Sequence, residues 1–477
     1  LTSVILLRNL QVEEFGEYSF YVSFIVVFGA LFNFGLEAVI QRYVPEFLVK
    51  KNFGKINRLI IISLIIRVFL IIFSWIFLII NFDYIKSIFK LSISTASFLI
   101  FLTILFFNRI KNLIGLALLT AFFEAYKERV NFIFFQILRL ILFSYILING
   151  YSLKELLIAW LLLELLSLVH FILLLSKKIL IKKKKIVLET FTNNENNRIL
   201  KYGKTNALAL VFFIFADIAV DNLMLGYFLN QEAVGFYTFA ISLLLIIIKM
   251  SPTSILKGTF GVIFTKLYTK KKSLEVMKLY YCLITKLNLF VTLPLLAILA
   301  TNLENIISII YSENYLTTVP LVYLGIFFMV ISSNNSTFSP LINALEKNKL
   351  FLYAGIFSIY NLVGNFILIP VYGTYGALFA TGTAGSFIFI FYYFHFKKIF
   401  KKKFFPWKCL FNIMISCFLI LVLGNYLNEF VNSIYSLIIV IVSQVIFYYF
   451  FIKYFKFFTL KEKKIIKKEL GIKFFKF

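Results

Sequence analysis

Long, predominantly apolar runs, of which 59–80 and 283–300 are clear examples, follow one another along the whole chain. Each is long enough to carry a helix of about 20 residues across roughly 30 Å of hydrocarbon. Nothing else in the sequence restricts the fold as strongly. Composition agrees: of 477 residues 61% are apolar and 15% charged, whereas soluble domains carry about a quarter charged residues. A soluble globular domain is excluded, and the bilayer is the solvent in which this chain folds.

Thirteen complete spans are expected, at 18–40, 59–81, 98–121, 132–149, 156–176, 205–226, 234–256, 279–300, 317–341, 350–371, 375–396, 409–427 and 433–453. Residues 1–7 are apolar and end at Arg8, which reads as the last turns of a truncated first span, so fourteen are expected in the intact chain. The connections are short, the longest being 177–204, and leave no room for an extramembrane domain. Function is therefore expected among the helices. Cys282, Cys409 and Cys417 lie in or beside apolar runs, and His170 and His395 stand alone. No disulfide framework, no metal site with zinc-like spacing and no cofactor is expected.

The basic residues set the orientation. Connections on one side hold four (Arg8, Lys86, Lys90, Lys154) and those on the other hold 39. By the positive-inside rule the chain is expected to be a multi-pass protein of the cell inner (plasma) membrane with a cytoplasmic C-terminus. The net charge of +27 then reads as a topology signal and as contact with anionic membrane lipids at 182–185, 270–272 and 401–403. Nucleic acid is not expected as a partner.

An internal repeat organises the spans. At an offset of 219, Glu13, Gly16, Tyr18, Phe20 and Ser23 match Glu232, Gly235, Tyr237, Phe239 and Ser242. Both copies sit where an outer connection turns into an inward-running helix, six spans apart. An even separation gives equal orientation, hence a parallel pseudo-twofold repeat. The fold class expected is an all-α polytopic membrane protein with two six-helix lobes and two C-terminal helices. In residues, these are an N-terminal lobe at 1–176, a basic cytoplasmic linker at 177–204, a C-terminal lobe at 205–396, and the last two spans with a basic tail at 397–477. Such lobes meet at a central cavity in alternating access.

The stretch 221–240, with Asp221, Gly226, Gly235 and Tyr237, and the stretch 365–381, with Asn365, Pro370, Tyr372, Gly373, Gly376, Ala377, Ala380 and Thr381, are the most distinctive. They resemble the seventh-to-eighth and eleventh-to-twelfth span junctions of the polysaccharide-export (O-antigen, Wzx-type) flippases of the multidrug/oligosaccharidyl-lipid/polysaccharide (MOP) exporter superfamily. Glu14, Gly16, Tyr18 and the segment 341–349 are similar to the family too. The resemblance implies a flippase for a polyprenyl-diphosphate-linked oligosaccharide, with polysaccharide polymerase machinery as a partner. It also places Asp221 at the family's recurring acid. The resemblance implies that the first span helps line the cavity, and it is the one expected to be incomplete here.

Intramembrane charge costs on the order of 3 kcal/mol or more at a bilayer centre unless it faces a cavity or a partner. Six cations fall within the spans: Arg67, Arg109, Lys111, Arg139, Lys249 and Lys286. Measured from the inner helix ends at about 1.5 Å per residue, four lie roughly 10–12 Å deep, and Arg109 and Lys111 roughly 15–18 Å deep. Together they suggest a basic cavity that holds a substrate diphosphate. Lys249 and Lys286 have a second reading, as side chains that snorkel to the interface. Arg109 and Lys111 depend on whether their span ends near 121 or near 108, in which case 113–123 would be a short interfacial helix. Glu164 is read as the counter-ion of one arginine, and His170 as a packing residue. Asp217 and Asp221, four apart on one helix face, are read either as an ion-coupling pair or as a helix–helix hydrogen bond.

Rival functions are weighed by what they need. A membrane-embedded glycosyltransferase or polymerase could use Glu13 and Glu14, but it needs a sizeable outer loop, and the recurrence of Glu13 as Glu232 favours structure. A multidrug exporter calls for an acid-lined cavity. A lipid II flippase shares the anionic head group and is the closest rival. No enzymatic chemistry is expected.

Overall fold

The computed structural model describes residues 2–92, 94–122, 124–181, 188–256, 260, 263–264, 274–345, 347, 349–400, 404–455, 457–459 and 462. The lysine runs at 182–185, 270–272 and 401–403 lie outside the described residues. No strand occurs among the described residues. Among the described residues eleven helices are long and apolar enough to cross a membrane, twelve with one bent pair counted as a span.

The first half begins with α1 (Thr2–Asn9) and α2 (Val12–Leu31). The Gln11 backbone N–H donates to the Glu14 carboxylate at 3.1 Å. An acid in the first turn thus satisfies a helix-end donor and meets the positive end of the helix dipole. This is what the first outer acidic pair does with Glu14. The chain turns through Phe34 and Gly35, both at positive φ, and resumes as α3 (Leu36–Val49). The first expected span therefore moves from 18–40 to 12–31, because the apolar pattern runs on across a break that hydropathy does not register.

There follow α4 (Phe53–Ile80), α5 (Phe82–Ile88) and α6 (Thr95–Asn112). Helix α6 passes directly into a π-helical segment, Leu113–Leu119. This resolves the open ending of that span: Leu113, Ala117, Leu118 and Leu119 are fully buried, so 113–119 continues the span and is no interfacial helix. Next come α7 (Ala125–Ile148), α8 (Leu153–Ile181), α9 (Asn193–Ile214), α10 (Ile218–Phe228) and α11 (Gln231–Met250). Helices α9 and α10 meet at a 55° bend, so the span expected at 205–226 is broken.

The second half carries α12 (Leu274–Thr301), α13 (Val319–Ser332), α14 (Asn335–Ala344), α15 (Ile356–Phe400), α16 (Trp407–Asn428) and α17 (Ile434–Phe455). Gly373, at φ 59° and ψ −135°, divides α15 into two arms. Only glycine adopts this backbone at little cost. Counted as two, these arms add one more segment, and every expected span then has a helical counterpart.

Packing divides the chain into two compact units, Leu1–Gly235 and Phe236–Phe477. In the first, α8 packs on α6 and α7, α10 on α2, and α3 on α4, α9 and the 113–119 segment. Helix α3 is also tied to α9 by Glu46, which accepts from Lys50 at 2.9 Å and from Arg198 at 2.6 Å. These cations hold the Glu46 carboxyl below the usual carboxylate range. The tie is therefore complete at neutral pH and is lost as pH falls through that lowered value. In the second unit α12 packs on α16, and α13 on α15. Gln444 there accepts from Asn302 at 2.8 Å and donates to Thr301 at 2.9 Å, polar bonds of the kind that join helices in a membrane. Grouping the spans into two six-helix lobes remains a proposal about repeats.

The repeat copies touch. A Cβ on Gly16 would fall 1.7 Å from the Gln231 carbonyl oxygen, and one on Gly235 would fall 2.3 Å from that of Val12. Val12 and Gln231 stand at the same offset as Gly16 and Gly235. The contact is reciprocal, as it is between elements related by a twofold axis. The recurring glycine is thus a place where backbone meets backbone.

Candidate functional site

A cavity of about 350 Å³ lies inside the first unit, among α2, α6, α7 and α8. Three of the six intramembrane cations line it: Arg109, Lys111 and Arg139. Their surroundings differ. Lys111 pairs with Glu164 at 2.5 Å. The Glu164 Oε1 also accepts from Trp160 Nε1 at 3.2 Å and from Asn108 Nδ2 at 3.3 Å. Glu164 is therefore a counter-ion, with a lysine and not an arginine as its partner.

Arg109 and Arg139 make no ion pair among the described residues. Arg109 donates from Nη2 to the Ile25 carbonyl oxygen and packs against Gly29, where a Cβ would lie 1.7 Å from its Cζ. Arg139 donates from Nη2 to the Tyr18 hydroxyl. Its guanidinium lies 4.6 Å from the Trp160 ring centre and 4.9 Å from that of Phe143. Aromatic faces attract a cation without neutralising it. The Nε–H groups of both arginines are buried without a partner. A buried donor left open in this way asks for an explanation, and an anionic ligand supplies one.

The remaining expected residues fall elsewhere. Arg67 is fully buried and donates to Glu37 at 3.1 Å and to Asn33 at 3.3 Å, a pairing away from the cavity lining. Lys249 is exposed at the end of α11. Lys286, in the second unit, donates to Glu462 at 2.9 Å. Asp217 caps α10, accepting from the Ala219 N–H at 2.9 Å, whereas Asp221 is fully buried one turn on. The two acids thus flank the start of a helix at a bend and do not share a face of one continuous helix. His170 Nδ1 lies 2.7 Å from Asn131 Nδ2, the contact of a packing residue. Among the described residues no group of three metal-ligating side chains forms.

Sequence reading did not find Trp160, Tyr18 and Asn108 as site residues. Trp160 and Glu164 stand four apart, a spacing that puts them on one helix face and was available as a signal. Tyr18 and Asn108 reach the cavity from other helices, which spacing does not reveal.

A sequence profile of polysaccharide biosynthesis proteins matches residues 5–320. No curated protein matches the sequence. Among solved structures, the chain is similar to the lipid II flippase MurJ in an inward closed conformation, with a TM-score of 0.73 and 18% identity over 99% of this chain and 96% of that one. It is also similar to an inward-facing multidrug resistance MATE family transporter of the MOP superfamily, with a TM-score of 0.67 and 14% identity over 84% and 93%. A third likeness, to a MOP superfamily transporter from Pyrococcus furiosus, has a TM-score of 0.51 and 14% identity over 82% and 89%. At these identities the likeness is one of fold, the all-helical polytopic fold of membrane transporters.

Proposed function

Since the chain belongs to the polysaccharide biosynthesis protein family and has the fold of the MOP superfamily, we propose that it is a flippase for a polyprenyl-diphosphate-linked oligosaccharide. It carries an O-antigen, capsule or exopolysaccharide repeat unit from the inner to the outer face of the cell membrane, with no covalent chemistry. One observation carries this reading: two arginines without carboxylate partners, their Nε–H groups unfilled, in a cavity among membrane-length helices. An uncompensated guanidinium is costly in a dry interior, and a ligand with two or more negative charges relieves two at once. Guanidinium forks also match the geometry of phosphate oxygens. The cavity offers a multidrug exporter's cationic cargo little, since its carboxylates are already paired, Glu164 with Lys111 and Glu128 with Arg129.

A lipid II flippase is the second reading, favoured by the likeness to MurJ over nearly the whole chain. Both cargoes present the same diphosphate. Anionic lipids meet the basic connections, and a polysaccharide polymerase receives the product. For ion coupling the stronger candidate is Asp221, which is fully buried one turn into α10 at the position that resembles the family's recurring acid.

Complementation of a flippase-deficient strain tests the reading. Arg109→Ala and Arg139→Ala are expected to abolish surface polysaccharide at unchanged membrane abundance. Lysine at either position is expected to restore part of it, because charge returns without the fork. Full activity of both alanine variants overturns the anion-site reading.

A further inference from the structure

Trp160 touches both charge systems of the cavity. The face of its indole carries the Arg139 guanidinium, 4.6 Å from the ring centre. The edge of the same ring donates from Nε1 to Glu164 Oε1 at 3.2 Å. Trp160 is 5% exposed and the Tyr18 ring meets it at 5.7 Å, so its orientation is fixed from a second side. A guanidinium and a carboxylate therefore stand on two sides of one buried ring, without pairing.

That separation needs a cause. A bidentate arginine–carboxylate pair is a strong contact open to both groups, stronger than a neutral hydrogen bond. The indole opposes it in two ways. Its N–H holds one oxygen of Glu164 at 3.2 Å while Lys111 takes the other at 2.5 Å, and its face holds the Arg139 guanidinium. Arg139 is left with aromatic faces and one phenol oxygen, neither of which cancels its charge. The other acid on the cavity wall, Glu128, lies 3.4 Å from Arg129.

Resting on the reading of this cavity as an anion site, we propose that Trp160 is a positioning residue that keeps Glu164 off Arg139 and so reserves that guanidinium for the ligand's diphosphate. Without the indole, Glu164 turns to Arg139 and the site neutralises itself. The ligand then loses one of the two arginines it needs. Selectivity follows the count of unpaired cations: a diphosphate is preferred to a monophosphate, and either to an uncharged lipid.

The test uses the purified full chain in detergent, titrated calorimetrically with farnesyl diphosphate, with farnesol as the uncharged control. Trp160→Leu is expected to weaken binding about tenfold, and Trp160→Phe, which keeps a ring face but loses the N–H, about threefold. The distinguishing readout is Glu164→Gln measured in two backgrounds. It is expected to strengthen binding about tenfold in Trp160→Leu, where the competing charge is removed, and about twofold or less beside the native tryptophan. Equal gains in the two backgrounds overturn the proposal, as does wild-type affinity of Trp160→Leu. The same comparison in Trp160→Phe decides the matter if the leucine variant does not fold. Arg139→Ala separates the two levels of the argument. If it binds like wild type, the anion-site reading itself fails; if it loses binding while Trp160→Leu does not, only the role of Trp160 fails.

Discussion

Arg67 shows what the sequence discloses about a single side chain and what it withholds. Its position deep in an apolar run marks it at once as needing a partner, but that partner could have been a ligand or another residue. The structure gives it Glu37 at 3.1 Å and Asn33 at 3.3 Å, both brought in from the α2–α3 region. Glu37 is therefore expected to matter for folding. Glu37→Leu leaves a buried guanidinium uncompensated and is expected to cost about 3–5 kcal/mol, seen as a large fall in melting temperature in detergent. The double variant Glu37→Leu with Arg67→Met is expected to recover most of that loss, because both charges are gone. Equal losses in the single and double variants contradict the pairing. Arg109 and Arg139 are the opposite case, cations that make no ion pair among the described residues. Nothing in the one-dimensional pattern separates the two kinds, since the decisive groups come from other helices.

Helices were legible where apolar length is the signal, and their breaks were not. Hydropathy is continuous across Phe34 and Gly35 and across the α9–α10 bend, because backbone geometry changes there while side-chain polarity does not; the division of α15 at Gly373 is the exception, expected as the short connection between the spans at 350–371 and 375–396. The recurring Gly16 and Gly235 were visible as a repeat, yet their reason, two backbones in contact, is a property of tertiary packing. Alanine at either glycine is expected to cost about 1–3 kcal/mol through overpacking, read as a lowered melting temperature. The contact is reciprocal, so the double variant is expected to cost less than the two singles together, the first having already opened the gap the second needs. Strict additivity, or no effect of either alanine, contradicts a shared backbone contact. Asp217→Ala removes the cap of α10 and is expected to cost about 1 kcal/mol, whereas Asp217→Asn keeps an acceptor and is expected to cost little.

The membrane class of the whole chain follows from composition, and its family from the match over 5–320. Orientation rests on the uneven distribution of Lys and Arg, and is open to direct test. With the native cysteines replaced, single cysteines at Asn230, Glu304 and Asn428 are expected to react with an impermeant thiol reagent from outside the cell, and ones at Asn194 and Lys347 are not. Labelling at Lys347 from outside reverses the assignment. Transport itself is measured most directly in proteoliposomes that hold a polyprenyl-diphosphate-linked oligosaccharide in one leaflet, by following the glycan's accessibility to an added glycosidase at the other face. The wild-type protein is expected to speed its appearance well above protein-free vesicles, and the Arg109→Ala, Arg139→Ala double variant to remain at the protein-free rate. Failure of the wild type to exceed protein-free vesicles, or equal rates for wild type and double variant, contradicts a flippase that works through these two arginines.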